Sequence, residues 1–127
     1  MLTAVALLFC ALLAALTAFQ LALILGAPLG RFAWGGQHVV LPRGLRIGSA
    51  VSIVIYAGFA LLALAKAHLM LRVPSGAFVG TAMWVVAGYL LLGVAMNAIS
   101  RSKPERWTMT PLALALAGCA FVLARGA

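Results

Sequence analysis

A chain of 127 residues that is 66 % hydrophobic and 8 % charged, with a mean hydropathy of +1.20, lies outside the range of soluble domains, which carry about 45–50 % apolar and about 25 % charged residues. Nine Lys and Arg against one acid give a net charge of +8. The basic residues stand between apolar runs rather than on one soluble face, which points to membrane loops and away from nucleic acid.

Leu2 to Leu25 is the first apolar run, long enough to cross the roughly 30 Å hydrocarbon layer. It lacks a positively charged n-region and exceeds the roughly 7–15 residues of a signal-peptide core, so it is read as a retained transmembrane helix. Ala11, Ala15, Ala18 and Ala22 form a small-residue stripe expected to serve close helix approach. Gly26 and Pro28 end the helix.

Gly26 to Gly44 is a long connection rich in helix breakers. It holds Arg31, Arg43, Trp34, Gln37 and His38, with Phe32 and Trp34 placed as headgroup-level aromatics. The second helix is expected over 45–67, with Arg46, Ser49 and Ser52 near its start, Tyr56 midway and Lys66 near its end. The connection from His68 to Ser75 contains Arg72 and Pro74.

The third helix is expected over 76–99. Gly76, Gly80 and Gly88 share a stripe that opens with a GxxxG match and is interrupted by Trp84. It is assigned to helix packing, with a homodimer as one outcome. Asn97 falls in the last turn. Ser100 to Thr110 is polar and carries Arg101, Lys103, Arg106 and Glu105. Ser102 to Glu105 reads as a capping box. The fourth helix is expected over 107–124, bent at Pro111.

The fold class is therefore all-α: a four-transmembrane-helix bundle in one domain, 1–127, with a long structured loop between helices one and two. Six Lys/Arg fall on the side of that loop and three on the other. This bias places the loop in the cytoplasm and both termini outside, in an inner (plasma) membrane.

Three constellations follow. Gln20, Ser49, Ser52, Asn97 and Ser100 share one depth, with Arg46, Arg101 and Glu105 over them. Together with Trp34, Gln37, His38 and Arg43 they form a candidate ligand or lipid-headgroup site; the competing reading is plain interhelical hydrogen bonding. Glu105, alone among six basic groups, is expected to pair with an Arg rather than to act as a general base. Cys10 and Cys119 fall at similar depth and read as small buried hydrophobes, a disulfide being the alternative. His38 and His68 lie on opposite sides and cannot share a metal. No catalytic set, metal site or cofactor motif is found, there being no GxSxG, HExxH or CxxC.

Four helices in a chain this short invite comparison with three families. Small multidrug exporters carry a glutamate in helix one, where this chain has Gln20. Fluoride channels carry a Gly-Arg-Tyr signature inside helix one, and Gly30-Arg31-Phe32 lies outside it. Quinone-linked thiol oxidoreductases need CxxC. GAPLGRFAWGGQHVVLPRGLRIGS and NAISRSKPERWTMTP together resemble a group of small four-helix bacterial membrane proteins, over about a third of the chain. That resemblance implies no activity. Abundant Ala, Gly and Arg with few Lys and Asn fits a high-GC bacterial genome. The functional expectation is a non-enzymatic accessory or interaction protein. Its expected partners are anionic lipid headgroups, copies of itself or another membrane protein, with no nucleic acid. The alternative is a transporter or channel for a small anionic or neutral solute.

Overall fold

The computed structural model describes residues 2–67 and 76–126. Among these the chain is all-helical, with four long helices: α1 (Leu2–Ile24), α2 (Arg43–Lys66), α3 (Gly76–Ala98) and α4 (Lys103–Arg125). Each is long and apolar enough to cross a membrane. The expected connection from His68 to Ser75 lies outside the described residues. α1 packs on α2 and α4, and α3 packs on α4 and α2, so the four close a ring.

α1 ends in a Schellman turn. The Gly26 N–H donates to Leu23 O at 3.1 Å and the Ala27 N–H to Ala22 O at 3.0 Å. This turn needs a left-handed residue, and Gly26 supplies it at φ 92°. Arg46 then reaches back from α2, its Nε donating to Leu41 O at 2.8 Å and its Nη1 to Ile24 O at 3.4 Å. A cation there suits the negative end of the α1 dipole.

α4 begins at Lys103 rather than near Trp107. Ser102 is its N-cap, and the Ser102 hydroxyl accepts from the Glu105 N–H at 3.5 Å. The cap nucleates the helix four residues early, and Pro111 is carried inside it. Pro111 lacks an N–H, so one intrahelical bond is forgone, but 23 residues reach about 34 Å by helical rise, enough to span.

Burial sets the rotation of each helix. The inward face of α1 is Ala6, Phe9, Leu13, Leu16, Gln20 and Leu23. Of the alanine stripe, Ala11, Ala15 and Ala18 point outward and Ala22 is half-buried, so the first three make no close helix approach within the chain. The reason is Gln20: an amide facing lipid is costly, and turning it inward carries with it the residues at helical spacing, Leu23, Leu16, Leu13 and Phe9. On α3 the buried residues are Val79, Met83, Val86, Ala87 and Leu90. Gly88 is exposed, and a Cβ there would meet nothing within 4 Å, so it makes no close helix approach within the chain. A Cβ at Gly80 would lie 3.9 Å from the Lys66 ammonium.

Half of the bundle is closed by apolar packing. Ala6, Phe9, Ala63, Met83, Ala120 and Leu123 are completely buried; here small residues admit the larger ones from neighbouring helices. The other half is capped by the loop between α1 and α2, which forms two 3-10 turns, Gly30–Phe32 and Trp34–Gly36. Gly36 has φ 72°, and a Cβ on it would overlap the Ser102 Cβ. Gly36→Ala is therefore expected to destabilise the protein by about 1–3 kcal/mol through forced displacement of the loop. Gly44→Ala, where a Cβ meets nothing within 4 Å, should be neutral or stabilising. Thermal unfolding in detergent, followed by tryptophan fluorescence, separates the two; equal midpoints would show that the loop does not need this close approach.

Candidate functional site

The site is built where the loop meets the first turn of α4. The Ser102 hydroxyl donates to Arg31 O at 2.5 Å, fixing the first 3-10 turn to the α4 cap. The Ser102 N–H donates to the Ser100 hydroxyl oxygen at 3.2 Å, and that hydroxyl in turn donates to Glu105 Oε1. The Gly35 N–H donates to Glu105 Oε2 at 3.3 Å. Glu105 is thus at the expected capping-box position, but its carboxylate reaches Ser100 and Gly35 instead of closing back on the Ser102 N–H. Nor does it take the expected Arg partner. Arg106 donates instead to Ser100 O at 3.4 Å and stacks 5.9 Å over the Trp107 ring. Glu105 is 7 % exposed, so the only acid of the chain is a buried group held by neutral donors.

Trp34 is the second anchor of the loop. It holds φ 52°, a left-handed conformation that a bulky residue rarely adopts. Its Nε1–H donates to Ser49 Oγ at 3.2 Å, and Ser49 is fully buried. The indole lies against Gly48, where an added Cβ would come within 2.8 Å of the ring. Absence of a side chain at position 48 is what admits the tryptophan.

Beneath the loop, among all four helices, is a cavity of about 250 Å³. Phe19, Phe32, Trp34, Tyr56 and Tyr89 give it aromatic walls; Gln20, Ser52, Asn97 and Glu105 give it polar groups; Leu16, Leu90 and Leu116 line its apolar side. Leu16, Leu90 and Leu116 also belong to the packed apolar core, so the cavity ends where close packing begins.

The polar groups differ in how far they are satisfied. Asn97 Nδ2 donates to Gly93 O at 2.8 Å and Ser52 Oγ to Gly48 O at 3.1 Å, both within their own helices. Gln20 Nε2 donates to the Tyr56 hydroxyl at 3.3 Å. Gln20 Oε1 is buried and has no partner. Leaving such an acceptor empty costs about 1–3 kcal/mol. Thr110 Oγ1, on α4, is likewise buried without a partner.

Of the sequence-designated residues, the structure brings together Gln20, Trp34, Asn97 and Glu105 at the cavity. Arg46 instead ties the end of α1 to the loop. Gln37, His38, Arg43 and Arg101 are exposed and do not line it. Among the described residues, no three His, Cys, Asp or Glu side chains gather as a metal site. Both cysteines are free thiols; Cys10 Sγ faces Ala60 O at 3.9 Å, toward α2 rather than Cys119. Phe19 and Met109 are wall residues that sequence reading did not single out, and Phe32, expected at the headgroup level, lines the cavity as well. Ser52 and Tyr56, at i and i+4, were the available signal for the α2 wall.

Comparison with known proteins finds no matching family model, no similar curated protein and no similar solved structure.

Replacing Glu105 with Ala removes the acceptor for the Gly35 N–H and for the Ser100 hydroxyl. Amide hydrogen exchange across residues 33–36 is expected to accelerate about tenfold, equivalent to about 1.4 kcal/mol of lost local stability. Unchanged exchange would mean that the loop is seated without the carboxylate.

Proposed function

We propose that the chain is a multi-pass protein of a bacterial inner membrane, its four helices forming a transmembrane bundle, and that it acts as a non-enzymatic accessory protein holding a small amphipathic molecule in the bundle. The observation that carries this reading is an aromatic-walled cavity of about 250 Å³ that the polar residues Gln20, Ser52, Asn97 and Glu105 also line. Ligand sites in proteins combine apolar walls with a few oriented polar groups in this way. The packed apolar half of the bundle supports holding a molecule over conducting one.

The loop and the α3–α4 turn share one end of the bundle, as the Gly35–Glu105 and Ser102–Arg31 bonds require. Arg31, Arg43, Arg101 and Lys103 are exposed at that end, where basic side chains suit the cytoplasmic leaflet and its anionic headgroups. Both termini then lie outside. In a Cys10→Ala/Cys119→Ala background, Gln37→Cys should be protected from an impermeant maleimide in intact cells and Ser75→Cys labelled. The reverse pattern would invert the topology.

Gly93 lines the cavity, and a Cβ there meets nothing within 4 Å. Gly93→Leu is expected to fill the space while raising helix propensity by about 0.8 kcal/mol. Native mass spectrometry of protein released from lipid nanodiscs should show a small-molecule adduct on the unsubstituted chain that is absent from Gly93→Leu. Equal adducts, or none on either, would count against a bound guest.

A further inference from the structure

We propose that the cavity takes a small organic cation, a quaternary or protonated amine carrying an apolar group, with Glu105 as its counter-charge. The inference rests on the small-molecule reading above and adds the charge and class of the guest.

Nine Lys and Arg and two His are spread along 127 residues, yet among the described residues none of them lines the cavity, whereas the single acid does. The two donors to Glu105, the Ser100 hydroxyl and the Gly35 N–H, are neutral. They occupy two of the roughly four lone-pair sites of a carboxylate and leave its charge uncancelled. Placement in the first turn of α4 suits a negative charge, because the helix dipole presents its positive end there. The dipole favours the carboxylate but brings no full counter-charge. A buried charge without a partner is strongly unfavourable, and a cation in the adjoining space removes that penalty.

The walls favour the same guest. Phe32, Trp34 and Tyr56 surround the space next to Gln20 and Glu105, and aromatic faces attract cations, most strongly where water is excluded. An anion would meet a carboxylate and, among the described residues, no cation lining the space to hold it. The volume, about 250 Å³, falls below the range of about 300–1,000 Å³ typical of drug-sized ligands, so the guest is small: one ring or a short chain beside one charged centre.

Benzyltrimethylammonium and its uncharged carbon isostere, neopentylbenzene, test the proposal. Each is titrated into the full chain in nanodiscs of neutral lipid, with Trp84→Phe and Trp107→Phe introduced so that Trp34 alone reports by fluorescence. The ammonium is expected to give a saturable change at a concentration at least tenfold lower than the isostere. Glu105→Gln should remove that preference, and Gly93→Leu should abolish the saturable change for both compounds. If the isostere binds as tightly as the ammonium to the unsubstituted chain, the cation assignment is overturned while the cavity reading stands; that comparison needs no Glu105 variant. If neither compound gives a saturable change, both readings fail together.

Discussion

The Glu105 carboxylate is the constraint on which the capped half of this bundle depends. It accepts from Ser100 on the α3–α4 turn and from Gly35 in the loop, residues that the chain separates by about half of its length. In a membrane, apolar side chains gain little by leaving lipid for one another, so polar contacts and close packing decide which elements meet. One carboxylate with two such contacts positions the loop over α4, and Ser102, which caps α4 and donates to Arg31 O, repeats the tie one turn away. Gly36 permits the approach and Trp34 locks the opposite edge on Ser49. The cavity exists because this cap stands off from the packed half of the bundle.

Burial of Gln20 is the matching constraint inside α1. Its amide has to avoid lipid, and that fixes the rotation of the helix. Large residues at helical spacing from it fill the bundle, and alanines on the other side face out. The same rotation brings its nitrogen to the Tyr56 hydroxyl and leaves its oxygen without a partner. The residue that orients α1 therefore also lines the cavity.

Legibility differed between the fold and the site. Helix number and approximate extent followed from apolar run length, because a span of about 20 residues has few alternatives. The shared depth of Gln20, Ser52 and Asn97 was also readable, since helical rise converts sequence position into height. The start of α4 was read too late: the Ser102 capping box was visible, but Pro111 was given more weight, and the Ser102 cap decides the start. The exposed positions of His38, Gln37, Arg43 and Arg101 could not be foreseen either: polar residues of a loop carry no periodicity that tells which face they take.

By itself the sequence determined that this chain is apolar throughout, helical in four runs, and sharply asymmetric in where it keeps its charges. Those properties depend on composition and on the spacing of residues near one another in the chain. Tertiary structure alone decided that the one acid would be buried against neutral donors, that most of the alanine stripe of α1 would face outward, and that a cavity would open between Gln20 and the loop. Each of these depends on contacts between residues far apart in sequence, such as Gly35 with Glu105 and Gln20 with Tyr56. Such contacts are set by how whole helices rotate and pack, which no local pattern encodes.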